Sequence, residues 1–200
     1  MNDAKTSEGL MVMDTSWKGY EQIPAWVTQG YCTMLQETDN QIKQFDGHPD
    51  NILAIGSVGV GSWMHAVTSH YQGASRNNKI VTVEPENAAC FKESLHCNCL
   101  TSIQTGETIM CGMNCGTPSK IAWYVLKDGV HASVAVTDRE SHEAVRFLHS
   151  QGVDSGPCGA ATLAALRKLC TEGIFDRKDR SGMSAVLFST EGNREYDVPN

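Results

Sequence analysis

The tightest constraint on the fold is the stretch Ile52-Leu53-Ala54-Ile55-Gly56-Ser57-Val58-Gly59-Val60-Gly61-Ser62, an apolar run that breaks into spaced glycines and then into helix-like sequence as far as Tyr71. Strand, glycine loop and helix in that order form one half of a β-α-β crossover. The second half follows in Lys79-Ile80-Val81-Thr82-Val83-Glu84-Pro85, an apolar run ended by its proline. Strands joined through a helix in this way lie parallel in one sheet.

The rest of the chain continues the alternation. Residues 10–13 read as a short strand ending at Asp14. Behind Pro24, apolar residues from Ile23 to Phe45 recur at three- and four-residue steps and predict one long amphipathic helix. Residues 51–55 and 79–85 are strands, residues 87–95 a helix, and 96–119 a long segment rich in Gly, Thr and Cys with no period. Loops of that length are usually functional or poorly ordered. Residues 121–127 predict a helix and 131–136 a strand. Thr137-Asp138-Arg139-Glu140 has capping-box spacing for a helix that Gly152 can close. An alanine-rich helix over 160–170, ended near Gly173, and a strand over 184–188 complete the pattern. The expected fold is a three-layer α/β/α domain with a mostly parallel sheet over residues 9–200, preceded by a polar tail at 1–8.

Charge and cysteine content narrow the function classes. Sixteen basic against 23 acidic residues leave a net charge of −7, without the Lys/Arg block that nucleic acids or a membrane surface would require. Neither partner is expected. With no apolar signal at the start and no apolar run long enough to span a bilayer, the expectation is a soluble, cytoplasmic protein. Eight cysteines without a secretory signal read as thiols, not as a disulfide framework. Cys97-x-Cys99 and Cys111-x-x-x-Cys115, with Cys90 and His96 nearby, could be assembled into a zinc site, yet the spacing fits no paired knuckle. No metal is expected.

Glycines let successive backbone N–H groups converge, and the following helix terminus adds partial positive charge, so the 56–62 loop favours an anion, a cofactor phosphate being the natural one. Close helix–sheet packing is the purely structural alternative. A dinucleotide fingerprint is excluded because Met64 stands where its third glycine belongs. Glu84, at the end of the next strand, mimics the acid that grips an adenosine ribose, which keeps an S-adenosylmethionine-dependent methyltransferase as an alternative. The same Glu84 before Pro85 also reads as a strand terminator with a satisfied side chain.

Several further segments, taken together and in order, carry a family resemblance. Asp14-Thr15-Ser16-Trp17-Lys18-Gly19-Tyr20-Glu21, Ile23-Pro24-Ala25-Trp26 and Gln29-Gly30-Tyr31 resemble the corresponding region of diaminopropionate ammonia-lyases, members of the tryptophan-synthase-β-like (fold type II) pyridoxal-phosphate enzymes. Gly59-Val60-Gly61 is similar to their phosphate loop, Val83-Glu84-Pro85 to their next strand, and Thr108-Ile109-Met110-Cys111-Gly112 to their Thr-Ile-Met-x-Gly segment. Ser155-Gly156-Pro157-Cys158-Gly159-Ala160 resembles their Ser-Gly-Glu-Ser-Gly-Ala turn, and Ser189-Thr190-Glu191-Gly192 their cofactor-ring segment. The resemblance runs from residue 10 to residue 192 and matches the C-terminal half of a family member, most of it the large domain.

The resemblance implies roles. Backbone N–H groups of Gly59, Val60, Gly61 and Ser62 would hold the phosphate of pyridoxal 5'-phosphate, and Ser189 or Thr190 would hydrogen-bond the pyridine nitrogen. Asp14 would act as general base on the Cα proton of a small amino-acid substrate, with loss of the β-amino group to give pyruvate and ammonia. The family also implies a homodimer. Pro157 stands where the family carries Glu and Cys158 where it carries Ser, a departure that keeps a serine/threonine dehydratase-like lyase as an alternative. The family's Schiff-base lysine lies in an N-terminal Ser-aromatic-Lys motif absent from this sequence; Lys120, in Thr-Pro-Ser-Lys, comes nearest in context, and Lys5 lies in the polar tail. The expectation is therefore non-covalent cofactor contacts only, in a truncated form inactive on its own, with a non-catalytic remnant as the further alternative.

Overall fold

A computed structural model describes residues 9–45, 51–75, 77–174 and 182–199; the expected polar tail, Lys5 included, lies outside them. Four strands, β1 (Ile52–Ser57), β2 (Lys79–Pro85), β3 (Ala132–Val136) and β4 (Ser184–Leu187), form one sheet in the order β3-β2-β1-β4, every pair parallel. β1 is the centre: Leu53 pairs with Lys79 on one side and Ala185 on the other. All six of its residues are buried, as expected of a strand covered on both faces.

Alternation along β1 and β2 sends residues to two separate cores. Ile52, Ala54 and Ile80 join Leu35, Trp63, Met64, Tyr71, Phe91, Trp123 and Phe188 on one face. Leu53, Ile55, Val81 and Val83 join Ala160, Ala161, Ala164, Ala165 and Leu169 on the other. The first face is covered by α1 (Gln22–Gly30), α2 (Cys32–Gln44), α3 (Ser62–Ala74), α4 (Cys90–His96) and α5 (Lys120–Gly129); the second by α6 (Asp138–Ser150) and α7 (Pro157–Glu172). Three layers around a parallel sheet result, as the alternation predicts.

Local signals behave as their chemistry requires. Thr137 and Glu140 form the reciprocal capping box at the start of α6. Gly152 and Gly173, at φ +76° and +67°, provide the left-handed residues that follow α6 and α7. Four expectations need correction. Residues 10–13 form no strand: Leu10 and Val12 are exposed, and the nearest pairing is an isolated bridge between Trp17 and Tyr20, because no sheet edge lies beside this run. The helix over 23–45 is two helices, parted at Tyr31, whose N–H turns back to Thr28 O. The helix after β2 is delayed by a 3-10 turn over Glu86–Ala88. α7 begins at Pro157, three residues early, since proline at the first helical position lacks only an N–H that the helix does not need.

The aperiodic segment over 97–119 is fastened by side chains from elsewhere. Asp138 accepts from Thr108 Oγ1 (2.5 Å) and Ile109 N (3.1 Å), and Asn87 Nδ2 donates to Glu107 O (2.8 Å). Its own Met110 and Met113 are buried in the core on the α7 side. Its order comes from tertiary contacts, which is why it shows no period.

Candidate cofactor site

β1 ends at Ser57, and the chain turns through Val58–Gly61 into α3. Gly61, at φ +94°, occupies the N-cap position of α3 with no side-chain cap above it, a backbone conformation that glycine adopts without strain. Gly59 is fixed by a close approach: a Cβ there would lie 3.1 Å from Gly112 O and 3.2 Å from Cys115 Sγ. The glycine loop is thus pressed against the turn over 112–115, at the carboxyl end of the sheet, where open parallel sheets bind their ligands.

On the other side of β1, the N-terminus of α7 reaches the same edge. Ser57 Oγ donates to Cys158 O at 2.7 Å. The segment after β4 crosses this end: Gly156 N donates to Glu191 O (3.0 Å), Ser155 and Ser189 hydroxyls bond each other (2.8 Å), and Cys158 N donates to Glu191 Oε2 (2.7 Å). Gly159 leaves room for that crossing, as a Cβ would stand 2.6 Å from Ser189 Oγ.

A cavity of about 620 Å3 opens between these parts, a size suited to a cofactor. Its lining includes Asp14, Gly59, Val60, Gly61, Ser62, Ser189 and Thr190, the residues to which the resemblance gives the base and cofactor roles, together with Tyr31, Trp63, Cys115, Cys158 and Glu191. Asp14 arrives from a segment without regular structure, anchored by Ser16: its N–H donates to Ser119 Oγ (2.9 Å), its hydroxyl bonds Ser119 Oγ (2.8 Å), and Ile121 N donates to Ser16 Oγ (2.8 Å). Ser62 Oγ donates to Asp14 Oδ2 at 2.5 Å. The Ser62 hydroxyl is therefore committed to Asp14, leaving the backbone of the loop as the feature that could face a phosphate.

Tyr31, Glu191 and Cys158 also join the site; each falls within a segment of the resemblance, but none is given a role there. Burial, with Asp14 adding to it, raises the Tyr31 phenol above its ordinary pKa and keeps it neutral. Burial pushes the Cys158 thiol up to about 12, reinforced by the Glu191 carboxylate. Cys90 is also pushed up to about 12 by burial, and Cys115 is raised for the same reason. Burial thus keeps these three thiols in the neutral form. Cys97 and Cys99 lie apart at the exposed end of α4, bonded to Glu93 and Thr101, and among the described residues no three His, Cys, Asp or Glu side chains gather to hold a metal.

Two other sequence candidates are placed elsewhere. Glu84 is fully buried, and its two oxygens accept from Phe91 N (2.7 Å) and Lys92 N (2.8 Å) at the start of α4. It is a strand terminator with a satisfied side chain, absent from the cavity lining, and the ribose-gripping acid of the methyltransferase reading is lost with it. Lys120 opens α5 and pairs with Glu21 at 2.6 Å; among the described residues lining the cavity there is no lysine.

Fold and site together define a class: an α/β protein with a cavity at the carboxyl end of a parallel sheet and a glycine loop on a helix N-terminus. The family model described as "pyridoxal-phosphate dependent enzyme" matches residues 4–185, and the chain belongs to that family. Diaminopropionate ammonia-lyase from Salmonella typhimurium is 30% identical over 98% of this chain and 52% of that protein. The Escherichia coli protein of the same name is 27% identical over the same shares. L-threonine dehydratase from Staphylococcus epidermidis is 24% identical over 84% of this chain and 38% of its own length. Among solved structures, Escherichia coli diaminopropionate ammonia lyase superposes with a TM-score of 0.82 at 24% identity, over 96% of this chain and 51% of that one. A fungal L-serine ammonia-lyase from Rhizomucor miehei gives 0.76 at 19% identity, over 94% and 56%. The fold is that of the fold type II pyridoxal-phosphate enzymes. The chain spans about half the length of the curated relatives it matches. Among the described residues no helix is long and apolar enough to cross a membrane.

Proposed function

We propose that this chain forms the cofactor-cradling lobe of a pyridoxal-phosphate lyase acting on a small amino acid, of the diaminopropionate ammonia-lyase type. The observation that carries the reading is the convergence of three distant segments, at Asp14, Gly59–Ser62 and Ser189–Thr190, on one cavity. The residues present fit the cofactor: an uncapped helix N-terminus behind a glycine loop for the phosphate, and neutral hydroxyls at Ser189 and Thr190 for the ring nitrogen. Pyridoxal phosphate, when bound, supplies the electron sink for a carbanion at Cα. Asp14 is the base that takes the Cα proton, and the Ser62 hydroxyl orients the carboxylate that receives it. The β-amino group of 2,3-diaminopropionate then leaves as ammonia, and hydrolysis of the remaining three-carbon enamine by water yields pyruvate and a second ammonia. A neutral hydroxyl at the ring nitrogen leaves that nitrogen largely unprotonated, which suits elimination. The proposed assembly is a homodimer.

A serine/threonine dehydratase-like reaction is the second reading. Pro157 and Cys158 at the start of α7 favour it, because that turn lacks the side chains that the resemblance to ammonia-lyases implies.

The cradle is tested by titrating the chain with pyridoxal 5'-phosphate and with pyridoxal, following the fluorescence of Trp63 in the cavity wall. The phosphorylated form is expected to bind at least tenfold more tightly, and Gly61→Val, which forces a β-branched residue to φ +94°, to remove that advantage. Equal affinities for the two compounds would overturn the reading. Ammonia release is expected only when a polypeptide carrying the Schiff-base lysine is supplied, and its preference for 2,3-diaminopropionate over serine and threonine separates the two reactions.

A further inference from the structure

Two helices turn their N-termini into the same cavity, and they are finished differently. α3 begins behind Gly61 with neither a side-chain cap nor an acidic residue in its first turn; Asp14 reaches it only through the Ser62 hydroxyl. α7 begins with Pro157, which has no N–H to offer, and its next N–H, that of Cys158, is taken directly by Glu191 Oε2 at 2.7 Å. Both ends carry partial positive charge that attracts anions. Without further adornment such a cavity offers a phosphate two seats.

Glu191 is held firmly over the second seat. Its Oε1 accepts from Arg194 Nε at 2.8 Å, and Arg194 in turn donates to Ile109 O. Its own carbonyl accepts from Gly156 N at 3.0 Å. Gly156 makes the approach possible, because a Cβ there would collide with Gly192 O and lie 2.7 Å from Glu191 Oε2. Ser189 stands against the same helix end, bonded to Ser155. A phosphate seated on α7 would therefore compete with the ring for this corner.

We propose that Glu191 is a positioning residue that closes the α7 N-terminus to anions, so that a phosphorylated ring ligand enters in one orientation, phosphate on α3 and ring toward Ser189. The proposal rests on the phosphate-loop reading above. The Glu191 carboxylate acts at the α7 end and not on the reacting atoms. Fixed by Arg194 and by the Cys158 N–H, it sets its negative charge where a second phosphate would sit.

The test is amide chemical-shift mapping of the isotope-labelled full chain with inorganic phosphate, then with pyridoxal 5'-phosphate. In the wild type, shifts are expected at residues 59–63 with one equivalent bound, while Cys158 and Gly159 stay in place. Glu191→Ala, and Glu191→Gln, which keeps the shape without the charge, are expected to bind a second equivalent of inorganic phosphate, with new shifts at residues 158–160. Phosphate-induced shifts at both helix ends of the wild type overturn the role of Glu191 and leave the phosphate loop standing. Retention of a single equivalent by both variants, each melting cooperatively, overturns it too. Should neither variant fold, the wild-type map decides alone. Absence of any shift at residues 59–63 overturns the phosphate-loop reading itself.

Discussion

The two faces of the sheet are built from different materials. The α3 face is filled by large rings, Trp63, Tyr71, Phe91, Trp123 and Phe188, with edge-to-face contacts such as Trp63 on Phe188 and Phe91 on Trp123. It also carries polar groups inside: the Glu84 carboxylate, bonded by Phe91 N and Lys92 N, and the Thr68 and Thr82 hydroxyls, which have no hydrogen-bond partner among the described residues. The α7 face is filled by Ala160, Ala161, Ala164 and Ala165 against valines of β2 and β3. Small side chains let α7 lie close to the sheet, which brings its first turn level with Ser57 and under Glu191. The rings on the other face come from α3, α4, α5 and the residue after β4, and the glycine loop lies at the N-terminus of α3. One face is thus specified by what fills it and the other by what is kept out.

Three substitutions probe that contrast. The largest effect is expected from Phe91→Ala, which empties a fully buried ring site on the α3 face and should cost about 3–5 kcal/mol in chemical denaturation. A loss below that caused by enlarging an alanine on the α7 face would erase the distinction. Next comes the buried acid of the same face. Burial lifts the Glu84 pKa from 4.5 to about 7 against the opposing pull of the Phe91 and Lys92 N–H groups, so the folded state holds a proton that the unfolded chain releases. The stability this gives is fully present below pH 4.5 and is lost as pH rises through about 7. The stability difference between wild type and Glu84→Gln should therefore shift by on the order of 3 kcal/mol over that window, read from urea melts at stepped pH. A flat difference would show that the α3 face tolerates the charge. The smallest effect is expected from Ala161→Leu, whose added atoms have no room between α7 and the sheet; a cost of about 1–3 kcal/mol is expected, accompanied by a weakened Cys158–Glu191 contact visible as a shifted Cys158 amide signal.

Much of the fold was legible because its signals are local. The apolar run at β1, the proline ending β2, the capping box at Thr137 and the closing glycines all act within a few residues of themselves. The cavity lining was legible for a different reason: glycines with spacing suited to an anion, and motif resemblance, mark Gly59–Ser62, Ser189, Thr190 and Asp14 without any knowledge of their proximity. Residues 10–13 mislead because four apolar residues in a row do not tell a strand from a segment that joins no sheet, here held by the Tyr20 hydroxyl. The break at Tyr31 is hidden because apolar spacing carries on across it. Glu191 and Tyr31 lie within segments of the resemblance, but their roles could not be read there, since each takes its meaning from partners far away in sequence, here Cys158 at 33 residues and Asp14 across the cavity.

The parallel α/β alternation, the glycine loop and the exclusion of a dinucleotide fingerprint follow from sequence alone, because backbone freedom, periodicity and capping are properties of neighbouring residues. Tertiary structure was needed to make Glu84 a buried helix cap and not a ligand acid, to give the Ser62 hydroxyl to Asp14, and to set Glu191 across one of two helix ends. Those outcomes depend on desolvation and on hydrogen bonds between segments from 7 to 48 residues apart, energies that exist only once the chain has closed on itself.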